Sequence, residues 1–271
     1  MRHPLYVLLA LVLAAAGDTG MAAAAGTEPS LQQIYATLAH KRFVDLTHSF
    51  GTNTPHWKGF EPMRVRTLYT IEKDGFEVQE LCHVGQWGTH IDPPAHFHKG
   101  LRTVDRIDPK EMLLPLVVLD VHAKVAANPD YVITLEDVHA WEARHGRIPA
   151  GAFVALRTDW SKRWPSDAAM QNRDAAGVAH YPGWSKPVLQ LLYEQRKITA
   201  SGHETTDTDP GLATTKDDYS LESYILGRDS YQIELLANLD QVPEAGALVM
   251  VSFPKLEHGT GFPARVVAIL P

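Results

Sequence analysis

Apolar and polar residues alternate over several short stretches of the chain, and this alternation predicts half-buried β-strands. The stretches are residues 43–50, 64–71 and 76–84, the last two joined by a turn at Lys73–Gly75. Further strands are predicted at apolar runs, at 116–121, 152–157, 198–201, 247–253 and 264–270. Helices are predicted at fewer places, at 27–41, 134–145, 185–196 and 221–226. The pattern therefore predicts a single α/β domain with a few helices packed on the strands.

The first 25 residues have a different pattern. Arg2 is followed by an apolar run at 5–16 and by the small residues 22–25. This order of charged, apolar and small residues is typical of a secretory signal peptide, and the run is short for a membrane span. We predict a signal peptide at 1–25 and a mature domain at 26–271, located in the periplasm or secreted, with no membrane attachment after cleavage. An uncleaved anchor is the alternative; a lipoprotein is disfavoured because no cysteine lies nearby.

Composition narrows the class of protein. The 271 residues are 45% apolar and 21% charged, as in ordinary globular proteins, and the net charge of −7 without a basic stripe disfavours nucleic-acid binding. Cys82 is the only cysteine, so no intrachain disulfide can form. Because it lies in a predicted apolar strand, we predict that it is an inert core residue. Serine-hydrolase, dinucleotide-binding and P-loop patterns are absent from the sequence.

The chemically informative segment is 85–98. In an extended chain alternate residues share a face, so Gln86, Gly88, His90 and Asp92 are predicted to point the same way. An imidazole and a carboxylate would then meet at one point, with space left by the missing side chain of Gly88. Such a cluster is what a catalytic metal site requires.

The two residues that follow, Pro93 and Pro94, end strand pairing and turn the chain. His96 and His98 are therefore predicted to fold back over the site. The alternative is a surface loop that carries solvated histidines.

This segment resembles the pattern His-x-Gly-Thr-His-x-Asp-x-Pro-x-His of the kynurenine formamidase and isatin hydrolase family, the "cyclase" hydrolases. The matching positions are Gly88–His90, Asp92, Pro94 and His96. Other stretches with family counterparts are Asp45–Thr47, Arg157–Trp160, Tyr181–Gly183, Gly202–Pro210 and Gly261–Arg265. The likeness covers about residues 40–271. It implies a swivelling β/β/α fold, in which helices pack around a barrel-like mixed sheet, and a homodimer.

The resemblance also implies roles for single residues. His90 and Asp92 would be metal ligands, with Asp92 able to bridge two ions. Glu234 matches a further family ligand. His96 matches the histidine that acts as a base or proton shuttle.

Two departures from the family concern the metal. Gln86 replaces the first histidine of the motif, and Glu222 stands where two-zinc members have a histidine, twelve residues before Glu234. His83 is a poor substitute because it has the opposite strand parity to His90. A divalent metal is thus expected with Gln86, His90, Asp92, Glu222 and Glu234 as its ligands. Such an oxygen-rich set favours Mn²⁺ over Zn²⁺ without excluding zinc.

A polar loop and several aromatic residues are candidates for substrate contacts. The loop 202–211 is predicted to line a pocket, with His203 and Asp207 near the substrate, although a solvated turn is the alternative. Trp57 and Phe60 are candidates for an aromatic wall, but for Phe60 we favour core packing.

Trp87 is a third candidate for this wall, yet its strand parity points it away from the metal. His258 lies in a glycine-rich turn and is predicted at the surface or at the pocket rim.

The predicted activity is hydrolysis of the C–N bond of an N-formyl or cyclic amide by metal-activated water, with His96 moving the proton. A lactone could be opened by the same chemistry. A non-catalytic exported binding protein is the alternative from another class, suggested by the changes at Gln86 and Glu222.

Overall fold

The computed structural model describes residues 28–271, which divide into a short N-terminal unit ending at Ala39 and a larger unit, His40–Pro271. Helix α1, Leu31–Ala39, belongs to the first unit and buries none of its residues, within the predicted span 27–41. The predicted signal peptide at 1–25 lies outside the described residues. None of the helices that the structure describes is long and apolar enough to cross a membrane.

The larger unit is built on a nine-stranded mixed sheet and a separate two-stranded hairpin. In chain order the strands are β1 (Phe43–Asp45), β2 (Arg64–Tyr69), β3 (Val78–Cys82), β4 (His90–Asp92), β5 (Leu113–Asp120), β6 (Phe153–Arg157), β7 (Ala200–His203), β8 (Tyr231–Glu234), β9 (Ala247–Ser252), β10 (Phe262–Pro263) and β11 (Arg265–Ile269). The large sheet has the order β1-β11-β9-β5-β6-β7-β8-β4-β10. Strands β5 to β8 are parallel, and antiparallel strands extend the sheet on both sides. The predicted α/β class is confirmed, with the sheet curled into a half-barrel.

Helices cover this sheet and are mostly short. They are α2 (Ile71–Asp74), α3 (His122–Ala127), α4 (Leu135–His145), α5 (Asp167–Gln171), α6 (Lys186–Gln190), α7 (Gly211–Thr214) and α8 (Ser220–Leu226). The capping box that predicted α4 is present, since Thr134 and Asp137 bond each other's backbone N–H groups. The helix predicted from Ser185 is α6, and it continues as a π-helical stretch, Leu191–Arg196.

The core lies on both faces of the sheet. Along β6, Val154 and Leu156 face the helices, whereas Phe153 and Ala155 belong to a second apolar cluster on the opposite face. All four are at most 1% exposed. A strand covered on both faces has no polar side, which explains the continuous apolar run in the sequence.

The hairpin β2–β3 is the exception, because all of its residues are exposed. Val65 pairs with Leu81, and these apolar side chains are 42% and 50% exposed. Cys82 at the end of β3 is also exposed, so the prediction that it is a core residue is wrong. The alternating pattern predicts these strands correctly, but it does not predict whether another segment covers them.

Candidate metal centre

The antiparallel pairing of β4 with β8 creates the centre of the site. His90 lies opposite Glu234, and Asp92 lies two residues along the same face of β4. The Nε2 atom of His90 is 3.5 Å from Oδ2 of Asp92 and 3.6 Å from Oε2 of Glu234. All three residues are buried, and they form one group whose ligand atoms lie within 4.8 Å of one another. The convergence of His90 and Asp92 predicted from strand parity is therefore confirmed.

Gly88 has a different role from the one predicted. Strand β4 begins only at His90, and the chain before it bends, with φ of +63° at Gly88. A Cβ atom at this position would lie 2.9 Å from Cβ of Phe50, and the left-handed backbone is itself unfavourable for other residues. Gly88 thus allows the bend beside Phe50 and does not leave space for a ligand.

A second group adjoins the first and shares Asp92 with it. It consists of Asp92, His96 and Glu222. Nε2 of His96 is 3.9 Å from Oδ1 of Asp92 and 3.8 Å from Oε1 of Glu222. His96 ends the short helical turn Pro94–His96, where its side chain is 27% exposed. Two ligand groups with one common carboxylate are compatible with the predicted bridging role of Asp92.

Glu222 reaches this place from helix α8, which is held at its first turn and at its middle. The carboxylate of Asp209 accepts hydrogen bonds from the backbone N–H groups of Leu221 and Glu222. His98 does not fold over the site as predicted, because its Nε2 is 2.7 Å from the carbonyl oxygen of Ser223. His98 therefore secures the helix that carries Glu222.

Gln86 lies at the centre, but the bent chain and not strand parity brings it there. Its amide nitrogen donates to the carbonyl oxygen of Thr260 at 2.7 Å and lies 3.4 Å from Oδ1 of Asp92. A Cβ atom at Gly261 would stand 2.0 Å from this nitrogen, so the amide can occupy this position only because residue 261 has no side chain. A carbonyl oxygen can only accept, which directs the donor end of the amide toward Thr260. Ligation through the carbonyl oxygen of Gln86 stays a prediction.

The buried carboxylates of the site would be stabilised by a bound cation. Burial, together with the charge of Asp92, raises the pKa of both Glu222 and Glu234 well above the ordinary value of 4.5. Burial would also raise the pKa of Asp92, but His90 and His96 lower it to about 2. Buried carboxylates that crowd one another are stabilised when a divalent ion neutralises them. The nitrogen and oxygen donors present fit such an ion.

Outer residues hold these ligands, and most of them were not among the predicted site residues. Gln232 on β8 donates to Oδ2 of Asp92 at 3.3 Å and to Oε1 of Glu234 at 3.1 Å. Its own carbonyl oxygen accepts from Thr208, which fixes the direction of the amide. Gln232 shares strand parity with Glu234, and that signal was available in the sequence.

His203 differs from its prediction. It is 1% exposed on β7 and lies behind Glu234 instead of among the residues that line the cavity. Burial lowers the pKa of this histidine to about 3, so the ring is neutral.

A cavity of about 450 Å³ opens onto both ligand groups. Its wall is largely aromatic and includes Pro55, His56, Trp57, Phe60, Phe97 and Tyr219. The indole nitrogen of Trp57 donates to the hydroxyl of Tyr219 at 2.9 Å, which joins two loops at the cavity. Phe60 packs against Trp57 and lines the cavity, so the predicted core position is wrong.

Three further candidates can be placed. Asp207 lines the cavity as predicted, and its carboxylate accepts from the hydroxyl of Tyr181 at 2.7 Å. Trp87 is fully buried against His56 and is not part of the wall. His258 is exposed, in agreement with the prediction of a surface position.

A curled mixed sheet with buried histidine and carboxylate ligands beneath an open cavity is the arrangement expected of a metal-dependent hydrolase. The Cyclase family model ("Putative cyclase") matches residues 44–210, more than half of the chain, and the chain belongs to this family. The isatin hydrolase of Roseibium aggregatum is 34% identical over 242 residues, which are 84% of this chain and 91% of the relative.

Solved structures agree with this assignment. Isatin hydrolase A from Ralstonia solanacearum has a TM-score of 0.83 at 32% identity and covers 92% of this chain and 100% of its own. An isatin hydrolase bound to the product analogue thioisatinate has a TM-score of 0.82 at 30% identity, covering 90% and 100%. The chain is a metal-dependent amidohydrolase, and neither a lactone hydrolase nor a non-catalytic binding protein is favoured.

Proposed function

We propose that this chain opens the C–N bond of a cyclic amide fused to an aromatic ring, as in isatin, or of an N-formyl amide on such a ring. The observation that carries the proposal is the position of the ligand group His90, Asp92 and Glu234 beneath an aromatic cavity. Trp57 and Phe60 offer flat apolar surfaces against which a planar ring can stack. The same substrate type in the related isatin hydrolases supports this choice.

Different residues of the site have different roles in the proposed reaction. A bound divalent ion would polarise the amide carbonyl and make water more acidic. His96 is placed to accept the proton from the attacking water and to pass it to the leaving nitrogen. The oxygen of water adds to the carbonyl carbon, the C–N bond breaks, and a carboxylate and an amine result. Asp207 and the aromatic wall orient the substrate.

For the ion itself we propose Mn²⁺ over Zn²⁺. The two ligand groups together offer three carboxylates, Asp92, Glu222 and Glu234, and two imidazoles, of which His96 is assigned to proton transfer. Oxygen-rich sites suit Mn²⁺ better than the softer sites typical of zinc.

Elemental analysis of the purified protein, followed by an activity screen, tests the proposal. Protein stripped with a chelator should lose isatin hydrolysis, and Mn²⁺ should restore it better than Zn²⁺. N-formylkynurenine and simple lactones complete the panel. Failure to bind any divalent metal, or restored metal without hydrolysis of any amide, would overturn the proposal.

We also propose that the protein is exported, because residues 1–25 have the order typical of a signal peptide. Expression with and without this segment tests the idea. The full chain should yield processed protein outside the cytoplasm, starting near Gly26, and the truncated chain should stay in the cytoplasm.

We further propose a homodimer in which the hairpin β2–β3 contacts a second copy. A two-stranded hairpin is marginally stable by itself, and this one exposes the apolar pair Val65 and Leu81 on one face. A twofold axis would bring the same face of two copies together. The double change Val65→Glu and Leu81→Glu should give monomers in light scattering, whereas the control Glu80→Gln on the opposite face should not. A wild-type monomer would contradict this.

A further inference from the structure

Two buried histidines approach the metal centre with their ring nitrogens in opposite roles. Nδ1 of His90 lies 2.8 Å from the carbonyl oxygen of Gly88. A carbonyl oxygen can only accept a hydrogen bond, so Nδ1 carries the proton. In the neutral ring Nε2 then keeps its lone pair for a cation held between Asp92 and Glu234, which is the arrangement of a metal ligand.

His203 has the reverse arrangement. Its Nδ1 is 3.3 Å from the indole nitrogen of Trp184, and an indole N–H can only donate. Nδ1 must therefore be the acceptor, and in the neutral ring the proton lies on Nε2. A protonated Nε2 has no lone pair for a cation, so His203 is a hydrogen-bond donor to the centre and not a ligand.

Glu234 is the acceptor within reach of this donor. Nε2 of His203 is 3.3 Å from Oε1 of Glu234, although the N–H is not aligned well enough to form a hydrogen bond, and the buried atom has no other partner in the described chain. An unpaired buried donor is unfavourable, so pairing with Oε1 is favoured. Gln232 donates to the same oxygen at 3.1 Å. Both outer donors thus lie within 3.3 Å of Oε1, while Oε2 lies beside His90.

We propose that His203 is a positioning residue that holds Glu234 through Oε1 and leaves Oε2 for the cation, and that Trp184 selects the ring tautomer this requires. The inference rests on the proposed function, because it assumes that Glu234 holds a divalent ion. Neither residue touches the substrate in this arrangement. Their effect is expected on metal affinity first and on turnover only through it.

The test compares Mn²⁺ dissociation constants of the metal-free proteins, measured by calorimetry. His203→Asn ends too far from Glu234 to donate, and it should weaken Mn²⁺ binding by roughly 10–100-fold, the usual effect of losing an outer partner. His203→Gln places an amide N–H near the position of Nε2. It should restore much of the affinity and lie nearer to wild type than His203→Asn.

The tautomer claim has its own control. Trp184→Phe should weaken Mn²⁺ binding in the wild-type background, because the imidazole can then place its proton on Nδ1. In the His203→Gln background the same change should have little effect, since an amide nitrogen always carries its hydrogens. A packing role for Trp184 alone would give the same loss in both backgrounds.

The outcomes separate this inference from the proposed function. Wild-type protein that binds neither Mn²⁺ nor Zn²⁺ refutes both, and if only Zn²⁺ binds, the same variants are compared with Zn²⁺. Wild-type binding that is unchanged in His203→Asn, or an equal effect of Trp184→Phe in both backgrounds, overturns the positioning role and leaves the hydrolase intact. Circular dichroism checks that each variant is folded; if His203→Asn does not fold, His203→Gln and the two Trp184→Phe proteins decide the question.

Discussion

The metal centre has two halves that are built in different ways. The strand-borne half consists of His90, Asp92 and Glu234, whose side chains are 5%, 1% and 7% exposed. The turn-borne half consists of His96, 27% exposed, and Glu222, 8% exposed. Sheet register fixes the first half, whereas the second depends on a short turn and a short helix being docked correctly. We infer that the strand-borne half mainly holds the ion and that the turn-borne half contributes the movable proton.

The largest effect is expected from the residue common to both halves. Asp92→Asn removes a charge that each ligand group uses, so metal binding should fall by more than the roughly 100-fold that an outer partner costs. Metal content after gel filtration and isatin turnover measure this loss. Glu80→Gln on the exposed hairpin is the matched control and should retain both. Retained metal in Asp92→Asn would refute the shared role.

The next prediction separates the two halves. His90→Ala should lose bound metal, whereas His96→Ala should keep it and lose turnover by roughly 10²–10⁴-fold, as expected for a proton-transfer group. Metal content and kcat are measured on the same preparations, with His258→Ala as an exposed control. Equal loss of metal in both variants would mean that His96 is a ligand. The two halves would then not differ in their roles.

A third prediction uses pH. Since the pKa values of Glu222 and Glu234 are raised in the fold, the metal-free folded state binds more protons than the unfolded state above pH 4.5. His48 and His203, whose pKa values are lowered, oppose this trend below the ordinary histidine pKa of 6.5. Stability of the metal-free protein should therefore fall as pH rises from 6.5 to 8. Melting temperatures with and without Mn²⁺ should diverge over this range.

Glu222→Gln sharpens this test. It should reduce the fall in melting temperature with pH, and the part that remains belongs to Glu234 in the strand-borne half. If the stability of the metal-free protein instead rises with pH, these carboxyl groups do not determine its pH dependence.

The smallest effect is expected away from both halves. Tyr219→Phe removes the hydrogen bond from Trp57 that joins the two loops, and it should raise KM by less than about tenfold with little change in kcat. Steady-state kinetics on isatin measures both constants. A fall in kcat of the size expected for His96→Ala would mean that this contact also positions the reacting groups.

The same division explains what the sequence could predict. His90 and Asp92 were placed correctly because they lie within β4, where side-chain direction follows strand parity. Strand parity does not apply at Gly88, because the chain bends before His90. Gln86 reaches the site only because distant Gly261 has no side chain in its way, and no local pattern contains that information.

The other wrong predictions concern whether a residue is buried or exposed. The polarity of loop 202–211 predicted a pocket, and Asp207 does line one, but His203 still belongs to β7 and is buried behind Glu234. Phe60 and Cys82 were assigned to the core from apolar context alone. Whether an apolar residue is covered depends on which segment packs over it, and this is decided by tertiary contacts far along the chain.

The contact between Gly261 and Gln86 limits how the protein can be altered. A methyl group at position 261 would overlap the amide, so Gly261→Ala would force the end of the Gln86 side chain to shift from its position beside Asp92. Attempts to redesign the enzyme for another metal by exchanging Gln86 should therefore keep this glycine and choose side chains that fit the space beside it. Residues 175 positions apart along the chain thus have to be engineered as one unit.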